Sequence, residues 1–409
     1  MAFSKAFRFT NHKKFYSLKQ KLPKPGDKVY VGMSGGVDSS VSAYLLQKQG
    51  FDVSAIYMQN WDTKDEQDIC TSEQDWFDVQ KVCEQLKINC TKINLVKEYW
   101  NRVFSVAIEG YQAGFTPNPD ILCNQEVKFG ALIDKLNSLA STKTADNSVW
   151  FATGHYTNVL RSDNHPPMLQ RGVDPLKDQS YFLSGVSESK LAKVLFPIGN
   201  LIKSTDVRTI ANEIGLVTAT KKESMGICFI GERKRFHDFI SQYIPATPGN
   251  IVSTDGKVIG THNGLFTRTI GQSARITVDT RKWFVCNKNI EKNEIVAVPD
   301  HNNPFLYTQK ISAKKINWIN KKPETKNGLK LLYQIRHLQS PKNCVIVERD
   351  NEFVFYLDSP VYGAAPGQYI ALYNNSSCCL GNAQVSKIHP GYRLDDSELN
   401  LFRDINIQK

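Results

Sequence analysis

A doubly wound parallel α/β sheet, followed by a small central domain and a C-terminal antiparallel β-barrel, is the fold class that the 409-residue sequence predicts. Three observations lead there. Short apolar strands alternate with helical patterns through the first 200 residues, as in βαβ units that cover both faces of a parallel sheet. A Gly/Ser-rich turn closes the first strand and opens the first helix. Beyond about residue 305 the pattern changes to short strands punctuated by turns, as in a small barrel.

The elements follow in order. Residues 1–26 carry seven Lys and Arg and no acid, and Phe3, Phe7, Phe15, Leu18 and Leu22 form an imperfect helical stripe that Pro23 and Pro25 end. Two readings fit this segment: a mitochondrial presequence, which is favoured and implies the matrix, and a basic arm that touches RNA. Residues 29–33 read as the first strand, and Val41, Tyr44, Leu45 and Leu46 as the apolar positions of the helix after it. A second strand is expected at 51–58, a helix faced by Trp76, Val79, Cys83 and Leu86, and a third strand at 93–95. The strand at 149–152 runs into Thr153-Gly154-His155, where the carboxyl end of a sheet strand borders a ligand crevice. The polar stretch 137–148 reads as a surface insertion, and 206–215 as a helix. Strands are expected at 344–347 and 353–357, and no element from about 391 onward. The domains are then 27–200, 201–303 and 304–390, with a tail at 391–409.

The formal charge of +11 is polarised: residues 27–220 sum to −5 and residues 221–409 to +9. A basic C-terminal half suits a polyanionic partner. No apolar run approaches the roughly 18 residues of a membrane span, so no membrane partner is expected, and the chain is read as a monomer. The nine cysteines are odd in number and contain no Cys-x-x-Cys, which argues against a disulfide framework or a structural zinc site.

The strongest local signal is Ser34-Gly35-Gly36-Val37-Asp38-Ser39-Ser40. Glycines let backbone approach a ligand, while helix-start amides and serine hydroxyls supply donors for an anion. It is neither a Walker A loop nor Gly-x-Gly-x-x-Gly; the competing reading is an ordinary Gly-rich turn. A second constellation is Asn118-Pro119-Asp120 through Cys123-Asn124, with another thiol in Gly226-Ile227-Cys228-Phe229-Ile230-Gly231. Taken alone, Cys123 sits in a turn where a thiol can act as a nucleophile with Asp120 nearby, or either cysteine is a buried small hydrophobe.

The first loop resembles the pyrophosphate loop of ATP pyrophosphatases, which implies ATP as cofactor and Asp38 beside magnesium. Together with Ala152-Thr153-Gly154-His155-Tyr156, Lys177-Asp178-Gln179-Ser180-Tyr181-Phe182-Leu183, Thr269-Ile270-Gly271-Gln272 and Pro366-Gly367-Gln368, these motifs stand in the order of the tRNA 2-thiouridylases, and the chain resembles that family over about 28–385. The resemblance implies adenylation of the C2 oxygen of a tRNA wobble uridine (tRNAs of the Lys, Glu and Gln type) and replacement of that oxygen by sulfur. Carried over residue by residue, it makes Cys228 the persulfide carrier, Cys123 its partner nucleophile and Asp120 a proton-handling or orienting group. It also implies a Cys123–Cys228 disulfide with a reductant, and a persulfide donor fed by a cysteine desulfurase. ATP contacts fall on Gly32, Met33, Ser34, Gly35, Gly36, Val37, Asp38, Ser39, Met58 and Gly154. Asn118, Pro119 and Asp120 fall on the target base, and His155, Lys177, Asp178, Gln179, Arg336, His337 and Gln368 on tRNA. The run Arg233-Lys234-Arg235 reads as a solvated face or a phosphate contact. Where the family continues Ile-Gly-Gln with Arg-Lys-Gly-Leu-Gly, this chain has Ser273-Ala274-Arg275. Two rival readings are a pyrophosphate-loop synthetase or amidotransferase acting on a small metabolite, and a non-catalytic RNA-binding relative.

Overall fold

The computed structural model describes residues 22–61, 71–140, 149–162, 165–222, 239–325, 328–375 and 377–402. Most of the basic N-terminal segment, the Cys228 motif, the Arg233–Arg235 run and residues 141–148 lie outside them. No helix among the described residues is long and apolar enough to cross a membrane.

The N-terminal half builds a five-stranded sheet from β1 (Lys28–Met33), β2 (Asp52–Gln59), β3 (Asn89–Asn94), β4 (Val149–Thr153) and, after the hairpin β5 (Thr157–Ser162) and β6 (His165–Arg171), β7 (Val194–Leu195). The order is β3-β2-β1-β4-β7 and every pair is parallel. The chain reverses its winding between β1 and β4, so the loops leaving those two strands face a crevice at the carboxyl edge. Helix α1 (Val37–Lys48) follows β1 and buries Val37, Val41, Ala43 and Leu46 together with Ser39, Ser40 and Ser42. Small serines allow a close approach, and each satisfies its buried hydroxyl on the preceding turn: Ser39 and Ser40 donate to Gly36 O at 3.0 and 2.9 Å, and Ser42 to Asp38 O at 2.8 Å. Helix α2 (Thr71–Leu86) packs Val79, Val82, Cys83 and Leu86 into the same core.

A second helical layer comprises α3 (Val96–Tyr99), a π turn at Trp100–Phe104, α4 (Ser105–Gln112), α5 (Pro119–Leu122), a π stretch at Cys123–Ala131 and α6 (Leu132–Ala140). The expected insertion at 137–148 is corrected in its first part: 137–140 complete α6, whose apolar positions Leu132, Ile133 and Leu136 are buried. Short helices α7 (Ser180–Leu183) and α8 (Glu188–Leu191) lead into β7, and a π turn at Lys203–Val207 continues into α9 (Arg208–Glu213).

Four strands, β8 (Gly249–Val252), β9 (Val258–His262), β10 (Trp283–Asn289) and β11 (Glu294–Pro299), make the central sheet in the order β10-β11-β8-β9. The C-terminal sheet contains β12 (Tyr307–Ala313), β13 (Ile316–Trp318), β14 (Leu329–Gln334), β15 (Lys342–Arg349), β16 (Glu352–Tyr362), β17 (Tyr369–Asn374), β18 (Cys378–Gln384) and β19 (Lys387–Ile388). Because β12 pairs with β16 while the adjoining β13 pairs with β18, the run β12-β16-β15-β14-β17-β18-β13 closes on itself as a barrel. The hairpin β5–β6 joins this barrel, with Leu169 and Gln170 opposite Cys379 and Cys378. Both cysteines are buried. The expectation of no element after 391 is also corrected. Helix α10 (Asp396–Asn400) starts with an Asp395/Glu398 capping box, and Leu401 and Phe402 cover Val345, Val347 and Tyr356.

One hydrophobic core runs from the helical layer into the barrel, joining Phe129, Tyr181 and Leu183 to Tyr369, Ala371, Tyr373 and Cys379. At this seam Tyr373 Oη donates to Gln334 Oε1 at 2.8 Å and lies 3.2 Å from Ser180 Oγ. Gln334 is only 1% exposed, so Tyr373→Phe strands a buried acceptor and is expected to cost about 1–3 kcal/mol. Urea denaturation should show a lower midpoint with unchanged slope; an unchanged midpoint would contradict this account of the seam.

Candidate functional site

The loop between β1 and α1 is shaped by Gly35, whose φ of +73° is left-handed and where a Cβ would lie 2.7 Å from Asp75 O. Ser34 is exposed at the mouth, its amide donating to Ser39 Oγ at 3.2 Å. Gly36 caps α1 and brings no side-chain acceptor, an arrangement in which first-turn amides can donate to an anion. Gly32 lies against Phe151, Met33 and Val37 are buried, and Met58 is half-buried near the carboxyl end of β2. From the other side of the switch point Gly154 meets the same turn: a Cβ there would sit 2.7 Å from both Asp38 C and Ser39 N.

Asp38 is held by two side chains. Tyr156 Oη donates to its Oδ1 at 2.7 Å, and Lys203 Nζ donates to its Oδ2 at 2.8 Å. Lys203 is 8% exposed, and its backbone amide donates to Asp174 Oδ2 at 2.9 Å. Sequence reading assigned no role to Lys203 or Asp174, and Tyr156 entered only as part of a motif. Nothing in the chain pattern pairs positions 38 and 203; only the turn from β7 into α9 brings them together.

A second centre forms where the helical layer meets the barrel. Asn118 caps α5 by accepting from Ile121 N at 3.2 Å, with Pro119 in the first turn and Asp120 half-buried behind it. Of the two readings of Cys123, a thiol exposed in a turn and a buried small hydrophobe, its placement matches the second: it begins the π stretch and is 1% exposed within the core. The carboxylate of Asp120 is close enough to Tyr111 to help burial push that phenol up, and to His337 to favour its charged form slightly. Tyr181 Oη donates to the Ile335 and Tyr369 carbonyls at 3.1 and 3.2 Å, and Thr116 N donates to Pro366 O at 2.7 Å. Residues 118–123, 178–182 and 335–337 therefore converge from three stretches of chain.

Several residues expected to meet RNA are engaged internally. Asp178 is buried, accepting from Arg171 Nε at 2.8 Å, Gly172 N at 3.0 Å, and Ser180 N and Oγ at 3.1 Å. Its carbonyl accepts from His337 Nε2 at 2.8 Å, which fixes that tautomer, while burial lowers the imidazole pKa. Gln179 Oε1 accepts from Tyr156 N at 3.0 Å. His155 has Thr153 Oγ1 2.6 Å from Nδ1 and Lys128 Nζ 3.5 Å from Nε2; burial, then Lys128, hold its pKa well below the usual value. Arg336 Nη2 donates to the Tyr362 and Gly363 carbonyls at 2.9 and 2.8 Å, and Gln368 Oε1 accepts from Ala365 N at 3.1 Å. Lys177 is half-buried at the rim of a cleft that it shares with Lys203, Ser204 and Arg208. The 271–275 loop docks on the barrel, where Tyr362 Oη donates to Gly271 O at 2.6 Å.

Comparison with known proteins follows this division. Residues 27–232 match the family described as the tRNA methyl transferase HUP domain, 237–299 the tRNA methyl transferase PRC-barrel domain, and 308–385 the aminomethyltransferase beta-barrel domain. Similar relatives include proteins named tRNA-specific 2-thiouridylase MnmA. That of Vibrio vulnificus is 42% identical over 370 residues, covering 88% of this chain and 96% of the relative. That of Alkaliphilus oremlandii is 42% identical over 373 residues, covering 90% and 99%. That of a Psychrobacter species is 44% identical over 379 residues, covering 88% and 93%.

The contact of Gly154 with α1 generates a test. In Gly154→Ala the added methyl pushes against backbone rather than a flexible side chain, so the two loops must separate. ATP binding measured by calorimetry is expected to weaken by at least about tenfold, as for a misplaced ligand-positioning group. Unaltered affinity would show that the two loops do not act together.

Proposed function

The chain belongs to the tRNA-specific 2-thiouridylase family, and from that premise we propose that it is an ATP-dependent sulfurtransferase that makes 2-thiouridine at the wobble position of mitochondrial tRNAs. The observation that carries the reading is the glycine turn at the switch point, where Gly35, Gly36 and the start of α1 meet Gly154. Sulfur chemistry, rather than methyl transfer, is supported by the relatives' names and by Cys123 beside Asn118 and Asp120.

A uridine C2 carbonyl is a poor electrophile. Attack of its oxygen on the α phosphorus of ATP releases pyrophosphate and leaves AMP as the leaving group. The terminal sulfur of a Cys228 persulfide then attacks C2 and AMP departs. Thiolate attack by Cys123 on the Cys228 sulfur leaves sulfur on C2 and forms the Cys123–Cys228 disulfide. Each turnover thus needs a fresh persulfide, supplied by a donor fed by a cysteine desulfurase, and a reductant. In the alternative order Cys123 first liberates hydrosulfide, which attacks C2. Asp120 orients the base or moves its proton.

Magnesium fits this site only in company with phosphates. Both oxygens of Asp38 already meet Lys203 and Tyr156, and no cluster of three or more His, Cys, Asp or Glu able to hold a metal occurs among the described residues. A cation held mainly by the nucleotide, with Asp38 as the protein oxygen, suits that environment; it would neutralise charge on the departing pyrophosphate. The acid-free first 26 residues support the mitochondrial compartment, and the +9 of residues 221–409 supports a tRNA partner.

The test is a reconstituted reaction of the full chain with unmodified tRNA, ATP, magnesium and a persulfide donor, read by nucleoside mass spectrometry and pyrophosphate release. Cys228→Ser should yield no 2-thiouridine while still binding ATP and tRNA, and Asp38→Ala should slow pyrophosphate release by roughly 10²–10³. Pyrophosphate release that is driven by a small acid and indifferent to tRNA would identify a metabolite synthetase instead. Thiolated product from Cys228→Ser would remove the persulfide role.

A further inference from the structure

We propose that Lys203 is a binding residue of the nucleotide site, the cation that takes up the departing pyrophosphate after being held in place by Asp38. This rests on the reading of the β1–α1 turn as a pyrophosphate loop.

The ammonium of Lys203 lies 2.8 Å from Asp38 Oδ2 and 5.9 Å from the centre of the Tyr156 ring, and Tyr156 Oη donates to the other carboxylate oxygen at 2.7 Å. The side chains of Lys203 and Asp38 are 10% and 27% exposed. An ion pair this deep adds little net stability, because desolvation offsets most of its Coulomb attraction. Its position is better explained by what Asp38 does to the loop. Asp38 lies in the first turn of α1, where a carboxylate gains from the helix dipole but repels a phosphate entering the same turn. Lys203 cancels that repulsion.

Its geometry also lets it do more. Asp174 is 4% exposed, accepts from Lys203 N at 2.9 Å and from Leu176 N at 3.0 Å, and so fixes the backbone from which the lysine extends. Lys203 lines a cleft of about 500 Å³ together with Asp174, Lys177, Ser204 and Arg208, so it stands between the Asp38 carboxylate and a cleft in which basic side chains outnumber the one carboxylate. When a magnesium-bearing nucleotide engages Asp38, the ammonium exchanges its carboxylate partner for phosphate oxygens. No bond is made or broken; one charge-assisted contact replaces another.

Calorimetry on the full chain tests this with inorganic pyrophosphate, α,β-methylene ATP and AMP as probes. Lys203→Met is expected to weaken pyrophosphate and the ATP analogue by about tenfold to a hundredfold and to leave AMP unchanged, with partial recovery in Lys203→Arg. Asp38→Asn should tighten metal-free pyrophosphate, because the ammonium loses its competitor. Should Lys203→Met melt early, Asp38→Asn/Lys203→Met removes both charges, and its pyrophosphate affinity is compared with that of Asp38→Asn; a tenfold loss supports the assignment and equality overturns it. Pyrophosphate binding by Lys203→Met equal to that of the unsubstituted chain, or a parallel loss of AMP, also overturns it while leaving the ATP site standing. An unsubstituted chain that binds neither ATP analogue nor pyrophosphate overturns the site reading itself.

Discussion

The approach of Gly154 to the first turn of α1 is the constraint on which the site depends. A parallel sheet whose order reverses between β1 and β4 presents two loop ends side by side. They become one site only if backbone can touch backbone, and the 2.7 Å that a Cβ would leave to Asp38 and Ser39 shows that only glycine permits it. From this contact follow the placement of Tyr156 two residues later, its hydrogen bond to Asp38, and the pairing of Asp38 with Lys203. The serines of α1 serve the same end, since their hydroxyls bond back to the preceding turn and let the helix lie close on the sheet.

The barrel is bound into the same architecture. The hairpin β5–β6 leaves the nucleotide-side sheet directly after Gly154 and Tyr156 and pairs with β18 of the barrel. Asp178 ties the return of that hairpin to Ser180 and, through its carbonyl, to His337. A side chain that accepts four donors while buried behaves as a keystone of backbone geometry. The motif Lys177-Asp178-Gln179 therefore shapes the corner where Asn118, Asp120 and Tyr181 meet the barrel.

What was legible in the sequence was local. The βαβ alternation, the Gly-Gly-Val-Asp-Ser turn and the strand at 149–152 each announce themselves within a few residues, and the structure has each of them, with that strand running on to Thr153 and the third strand, expected at 93–95, lying at Asn89–Asn94. The capping box at Asp395 and Glu398 was equally local and was overlooked because α10 spans only Asp396–Asn400. Pairings between distant residues were not legible. Lys203 with Asp38, Tyr373 with Gln334, and Lys288 with the Gly114 carbonyl at 2.8 Å all depend on how separate elements pack. At Cys123 the prolines before it suggest a turn, whereas Asn118 and Pro119 start a helix that carries the thiol inward, to the burial that the alternative reading of this cysteine gives it.

That inward placement bears on the chemistry. An adenylated uridine and a persulfide are both lost to water or stray thiols if exposed, so a site that uses them has to admit the base and exclude solvent. The core places Cys123 1% exposed beside Ile121, Val127 and Phe129, with half-buried Asn118 and Asp120 on the approach to it. The π geometry from Cys123 to Ala131 changes the helical register, a device common where a side chain must be re-aimed at a functional site. Its consequence is a contrast across the molecule: polar, hydrogen-bonded groups surround Asp38, while the Cys123 thiol is packed within an apolar core. The +9 carried by residues 221–409 is a charge balance that suits a polyanionic partner.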